Sequence, residues 1–459
     1  MIGQEQREFA VFDKRKHIRI THLCNNNCLF CLDAEGSDKT HKSLEEIKKG
    51  LEAGIAENCT RLILSGGEAT IHPNFFDVVR LGKQAGYKKI QIISNGRMFS
   101  YTSFLKKATS AGLGEITFSI HGHTPELHDF LTNSKGSFNE TVKGIKNALE
   151  LHLIVNADIV LNKQNYKFFP QIMGFLLGLG IREFDILHPV PFGNAWKNKE
   201  MIYYDIKRAL PYIHDGFNLA EKKDAILWTN RFPAKYLVGF EHLIQDSHKL
   251  SDEIEGRKIL FQSCLETNNN FPCYGGRCAL CNMENVCCAL IKSNKKLKKG
   301  FPSKKQPPIK KVIINQSNYT KLPEIAKRLK SPKTYLYIFD FGEPPEKLSD
   351  YKRRVVRLKD VIPYLTKTAD ILGNKLKIRN IPACFLGKDL IRHIDYNIGL
   401  DPDPLTKDNQ LDITKFVKDF AKGLKIKGLC CKKCKYTARC KGIFQKYIIL
   451  FGFKELQPL

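Results

Sequence analysis

The 459-residue sequence has no long apolar run. The longest, Phe168 to Gly180, is broken by Pro170 and Gln171 and is too short to span a bilayer, which excludes a membrane span. An apolar leader is missing too: Met1 to Lys16 is polar and charged, so no signal peptide is read and a cytoplasmic protein is expected. Acidic residues are in deficit, 47 against 74 Lys and Arg, for a net charge of +27. Tryptophan and methionine are scarce, at two and five. Cysteine is not: there are fifteen. Without an export signal, so many thiols point to metal binding and not to disulfides. With 42% hydrophobic and 26% charged residues, the rest of the composition is that of a globular protein long enough for two or three domains.

Neither the charge nor the cysteines are spread evenly. Residues 1–290 carry about +3 and residues 291–459 about +24, so the second part has an electrostatic character of its own, suited to an acidic or polyanionic partner. Cys59 and Cys384 lie alone and Cys264 slightly apart; the others cluster within 24–31, 273–288 and 430–440. That is the pattern of three ligand groups.

From His17 to Pro191, short β-branched runs alternate with amphipathic stretches, which predicts repeated βα units and a parallel sheet. The expected strands are 18–23, 61–64, 90–94, 115–120, 154–161 and 183–187, and they make an α/β fold of the partial TIM-barrel type, (βα)6. In such folds chemistry gathers where strands end. Cys24, Ser65 to Glu68, Asn95, Ser119, His121, Asn162 and His188 all fall there. A basic, Pro-containing linker follows at Lys292–Lys311.

The chain also repeats itself. Val160-Leu-Asn-Lys-Gln-Asn-Tyr166 is echoed by Ile313-Ile-Asn-Gln-Ser-Asn-Tyr319, and Lys207 to Tyr212 by Lys359 to Tyr364. Phe232-Pro233-Ala234 returns as Ile381-Pro382-Ala383, and the Cx2Cx5C of Cys278, Cys281 and Cys287 as Cys431, Cys434 and Cys440. The offset stays near 150 residues. Residues 160–288 and 313–441 therefore read as two copies of one unit, the end of the barrel plus a cysteine module. The expected domains are 1–200 (core barrel), 201–290 (first Cys-rich module), 291–311 (linker) and 312–459 (duplicated βα segment with the second module).

Cys24-Asn-Asn-Asn-Cys28-Leu-Phe-Cys31 places three thiols on a short loop after the first strand. Three thiolates can hold three irons of a 4Fe–4S cube and leave the fourth open to chelate a cofactor. A structural zinc would want a fourth protein ligand, for which His22 is the nearest candidate. His121, His123, His128 and Asp129 form a polar loop beside this site, and Asp185 reads equally well as a substrate-facing acid or a structural carboxylate.

CxxxCxxC with an aromatic before its last Cys resembles the signature of the radical S-adenosylmethionine (SAM) superfamily, and Gly66-Gly67-Glu68 resembles its Gly-Gly-Glu motif. The resemblance covers about residues 17–193. It implies a reduced 4Fe–4S cluster on Cys24, Cys28 and Cys31 that cleaves SAM to methionine and a 5′-deoxyadenosyl radical, with an electron from a reductant such as flavodoxin or ferredoxin. It places Phe30 against the adenine, Ser65, Gly66, Gly67 and Glu68 at the SAM amino group, and Asn95, Ser119 and His121 at ribose and carboxylate.

The later cysteine groups resemble twitch and SPASM auxiliary-cluster modules, although the Cx2Cx5C spacing usually occurs once. This resemblance implies two further 4Fe–4S clusters. The first would lie on Cys278, Cys281 and Cys287 with Cys273 or Cys264. The second would lie on Cys431, Cys434 and Cys440 with Cys384 or Cys430. Zinc ribbons are the alternative reading of the same spacing. By resemblance the substrate is a peptide or protein. The basic second part raises nucleic acid, tRNA included, as an alternative, and an electron-transfer or docking module is a third.

Overall fold

The computed structural model describes residues 14–34, 40–245, 262, 276–281, 286–291, 309–329, 335–340, 348–394, 413, 416–417, 420 and 423–459. They fall into two compact units, Met1–Phe232 with Gly275–Asn282, and Pro233–Tyr274 with Met283–Leu459.

The first unit is a parallel sheet in sequence order, β1 (Arg15–Thr21), β2 (Arg61–Gly66), β3 (Lys89–Ser94), β4 (Glu115–Ser119), β5 (Ile154–Val160), β6 (Glu183–Leu187) and β7 (Ile226–Asn230). Six of these are the strands expected from the sequence. The seventh, ILWTN, pairs in parallel with β6 from Glu183↔Ile226 to Leu187↔Asn230. Helices cover one face. Ser43 caps the helix Leu44–Ala56 with a reciprocal Glu46 bond, a capping box that satisfies two otherwise orphaned N–H groups. The helix-facing residues of the strands are apolar and fully buried: Leu62, Leu64, Ile92, Ile116, Phe118, Ile159, Phe184 and Ile186. Each contributes about 1.5–3 kcal/mol by leaving water.

The other face alternates in, as the two-residue period of a strand requires, and it mixes isoleucines (Ile63, Ile93, Ile154, Ile226) with charged and polar residues. On β1–β3 it carries Arg15, Arg19, Arg61 and Lys89; on β4–β6 it carries Glu115, Asp158, Glu183 and Asp185. Arg61 binds Glu115 across the sheet. This face is no packed barrel core.

The second unit contains a smaller parallel sheet, β10–β9–β8, made of β8 (Ile309–Ile314), β9 (Tyr335–Asp340) and β10 (Leu376–Arg379). A short antiparallel pair, β11 (Lys425–Ile426) with β12 (Ile443–Phe444), follows. The β8–β10 segment repeats the β5–β7 segment down to single hydrogen bonds. In the first copy Asn162 N donates to Asn165 Oδ1 (2.7 Å), Gln164 N to Asn162 Oδ1 (3.0 Å) and Asn165 Nδ2 to Val160 O (3.0 Å). In the second, Asn315 N donates to Asn318 Oδ1 (2.9 Å), Ser317 N to Asn315 Oδ1 (2.9 Å) and Asn318 Nδ2 to Ile313 O (2.8 Å). These paired Asx turns are why the Asn-x-x-Asn-Tyr motif occurs twice. Tyr166 meets Tyr212 edge-on at 5.8 Å, and Tyr319 meets Tyr364 at 5.4 Å. Helices Ile206–Lys222 and Leu358–Leu372 both hold a Pro in their second turn, and a non-glycine residue with positive φ ends each last strand, Arg231 (60°) and Asn380 (64°). The duplication read from the sequence is thus a duplication of fold.

Candidate active site

The Cys24–Cys31 loop leaves the end of β1 and is gripped from several sides. Asn194 N donates to Cys31 O (2.8 Å) and Asn194 Nδ2 to Cys28 O (3.0 Å), while Asn198 Nδ2 donates to Leu29 O (2.9 Å). Arg97 donates to Asn25 O (2.6 Å) and Asn26 Oδ1 (2.9 Å). Asn27 N and Leu29 N donate to Thr132 O and Leu131 O. Asn194, Asn198 and Arg97 were not singled out in the sequence; the only cue was a Gly-Asn pair just past β6. These bonds hold the loop so that the thiols need not.

The three thiols are free, with N–H groups aimed at one of them: Asn26 N lies 3.4 Å and Asn95 Nδ2 4.0 Å from Cys24 Sγ. Desolvation, with Glu68 and Cys31 adding repulsion, pushes the Cys24 thiol up to about 12 although the residue as a whole is exposed. Burial raises Cys28 and Cys31 as well. Left alone, such thiols stay neutral. A multiply charged iron centre supplies what they need to ionise, so this donor set fits a cluster. Among the described residues, no three His, Cys, Asp or Glu side chains converge as ligands of a single ion. A cube, which takes each thiolate on a different iron, asks for wider spacing.

The Gly-Gly-Glu segment closes over the same loop. Gly66 (φ 153°) and Gly67 pass so near the backbone that an added Cβ would stand 2.2 Å from Thr21 O and from Leu23 O respectively, so only glycine fits. Glu68 is 1% exposed, and its carboxylate is used internally. Oε1 accepts from Thr70 N (3.1 Å), Thr70 Oγ1 and Ser94 Oγ (2.8 Å), and Oε2 from Asn95 N (2.7 Å). Burial raises its pKa and these four donors oppose the rise. Glu68 therefore braces the ends of β2 and β3, and Ser65 Oγ lies 2.5 Å from His17 Nε2. Asn95 Nδ2 reaches Asn25 Oδ1 at 2.6 Å.

Phe30 packs edge-on to His121 with ring centroids 4.6 Å apart, and His121 stacks on His128. His121 Nδ1 accepts from Val160 N (3.2 Å), and burial pulls its pKa well down, so the ring is neutral with its proton on Nε2. Ser119 ends β4 half-buried beside it. The structure thus brings Cys24, Cys28, Cys31, Phe30, Ser65 to Glu68, Asn95, Ser119 and His121 to one end of the sheet. Asp129 is not among them: it accepts from Gly136 N, Ser137 Oγ and Phe138 N and caps the next helix.

The model of the Radical SAM superfamily matches residues 18–176. These residues form a radical SAM domain. It is an enzyme domain whose family works with a 4Fe–4S cluster and SAM. A "Probable GTP 3′,8-cyclase" of Saccharolobus islandicus is 31% identical over 203 residues, 43% of this chain and 63% of that protein. One of the same name from Sulfurisphaera tokodaii is 28% identical over 180 residues, 38% and 56% of the two chains. The match therefore spans less than two thirds of these relatives. Among solved structures, Streptococcus suis SuiB bound to precursor peptide SuiA aligns over 53% of this chain and 56% of that one, with 17% identity and a TM-score of 0.41. No helix among the described residues is long and apolar enough to cross a membrane.

Beyond the radical SAM domain, the last cysteine group lines a cavity. Cys384, Cys431, Cys434 and Cys440 face it together with Pro382, Ile426 and Tyr436. Burial and the neighbouring thiols push Cys384 up to about 12, and Cys431 is raised to about 11 by burial and by Cys430. Cys430 is not in the lining, and its Sγ lies 3.9 Å from Leu456 O. Of the two candidates for fourth thiol, the fold brings Cys384 to the cavity. In the middle group, the Cys278–Leu280 turn repeats the local bond of the last one, Cys281 N to Cys278 O (3.1 Å) matching Cys434 N to Cys431 O (3.2 Å). Cys287 sits in a helical stretch at 286–291. Cys264 and Cys273 lie outside the described residues.

Proposed function

We propose that the protein is a radical SAM enzyme that abstracts hydrogen from a peptide or protein substrate, with auxiliary clusters in both cysteine modules. The observation that carries the auxiliary part is the cavity walled by Cys384, Cys431, Cys434 and Cys440. Four thiols suit a fully ligated cluster, whereas the three at Cys24, Cys28 and Cys31 suit one with an open iron. Cys278, Cys281 and Cys287, with Cys273 or Cys264, complete the set of three.

When bound, the core cluster and SAM supply a one-electron C–S cleavage that yields methionine and a hydrogen-abstracting radical. This chain's residues do the holding. Asn194, Asn198 and Arg97 fix the thiol loop, and Gly66 and Gly67 expose backbone for close approach to the SAM amino group. Phe30 offers an apolar ring for the adenine, and Asn95, Ser119 and neutral His121 offer polar groups for ribose and carboxylate. Around these, the buried ring of Phe30 with Leu131, Ala195 and Ile202 keeps water away from the reacting end.

Modification of a nucleic acid is a second reading, and the charge of about +24 on residues 291–459 favours it. The relatives' name adds a nucleotide. The test is reductive release of 5′-deoxyadenosine by the anaerobically reconstituted protein, with peptides encoded beside its gene, tRNA and GTP as candidate substrates. Stimulation by a peptide supports the first reading. Stimulation by tRNA or GTP alone replaces it, and no release at all removes the enzyme reading.

A further inference from the structure

The polar face of β5–β7 holds buried hydrogen-bond acceptors without a partner among the described residues. Asn156 is 6% exposed; its Nδ2 donates to Glu115 Oε1 (2.8 Å), and its Oδ1 is buried without a partner. Asn230 Nδ2 donates to Asp185 Oδ2 (3.4 Å), and Asn230 Oδ1 and Asp185 Oδ1 are likewise buried without partners. The carboxylates fix both amides, because flipping either would set oxygen against oxygen. All three side chains share one face: Asn156 and Asp158 lie two apart on β5, Asp158 pairs with Asp185, and Asp185 pairs with Trp228, two before Asn230. The indole of Trp228 is turned the same way, to Glu183 Oε1 at 3.1 Å.

An unfilled buried acceptor costs about 1–3 kcal/mol, and the adjoining oxygens of Asp185 and Asn230, one of them a carboxylate, call for a donor and favour one with positive charge. The duplicate supports a functional origin. Its register places Ile309, Lys311, Tyr337 and Arg379 where the first copy has Asn156, Asp158, Asp185 and Asn230. The frame forms without these acceptors, so they are not there to fold it.

We propose that this face, through Asp185 and Asn230, binds a cationic donor of the substrate, an ammonium or guanidinium group. The inference rests on the proposed function for its setting and specifies the substrate: in a peptide, the group is a lysine or arginine side chain near the site of hydrogen abstraction. No covalent step is involved.

The test is binding by the full chain carrying Trp196→Phe, which leaves Trp228 as the lone tryptophan reporter. The probes are n-butylammonium, n-butylguanidinium and n-butanol. The cations are expected to shift Trp228 emission saturably and raise the melting temperature, while butanol does neither. Asp185→Asn is expected to weaken the cation about tenfold, the effect of losing one charge-assisted bond. The stronger of the two cations tells lysine from arginine. Butanol acting like the cations, or an unchanged affinity in Asp185→Asn, would overturn the inference. The comparison of probes on the unsubstituted face stands even if that variant fails to fold. Cation binding without 5′-deoxyadenosine release would sink only the proposed function, and release without cation binding only this inference.

Discussion

The two copies of the duplicated segment share a frame and differ in what it carries. β5–β7 and β8–β10 have the same strand order, the same Asx turns, the same mid-helix proline and the same left-handed residue after the last strand. The first copy continues the sheet of the radical SAM domain and bears acidic and amide acceptors on its polar face. The second stands as a three-stranded sheet with Ile309, Lys311, Tyr337 and Arg379 at those positions, and it leads into a four-thiol cavity. Turn and packing residues are what both copies need. Face residues are what each copy does.

The largest expected contrast is between clusters. Cys28→Ala should remove about four irons per chain and all 5′-deoxyadenosine release, whereas Cys431→Ala should remove about four irons and leave SAM cleavage in place. Both are read by iron assay and product chromatography. Equal loss of cleavage in the two variants would mean that the second copy is part of the core site.

Acid should separate the two units next. Burial pulls His128 and His188, both in the first unit, down to about 4. In the unfolded chain they titrate near 6.5. Between these values the unfolded state binds more protons, so stability is full above about pH 6.5, falls as pH drops, and levels off below about 4. Each histidine accounts for about 3 kcal/mol over that window. Thermal melts from pH 7 to 4 should show the first unit weakening, and His188→Gln should flatten the slope.

The turns give the smallest contrast. Asn165 is fully buried and also donates to His121 O (2.9 Å), so Asn165→Ala should cost about 2–3 kcal/mol. Asn318 is half-buried, and Asn318→Ala should cost about 1 kcal/mol. Denaturant midpoints of the two variants check the order.

Much of this was legible in the residues. CxxxCxxC, Gly66-Gly67-Glu68 and six of the seven strands are local patterns, and Asn162-x-x-Asn165-Tyr166 announced its copy because an Asx turn needs those side chains at that spacing. β7 was missed because Ile226–Asn230 is short and ends in polar Thr and Asn. It shows no alternation of apolar and polar residues, and it fell within the expected cysteine module. The brace role of Glu68, the grip of Asn194 and Asn198 on the cysteine loop, and the line of unfilled acceptors join residues from different strands. Only the register reveals them. Left-handed Arg231 carries no sequence signal at all, since no glycine marks it.

The most direct test is iron, sulfide and zinc quantification on the anaerobically reconstituted full chain. Three thiol groups, each holding a 4Fe–4S cluster, predict about twelve irons with matching sulfide and no zinc. About four irons with two zincs would contradict the auxiliary clusters and make both cysteine modules zinc sites.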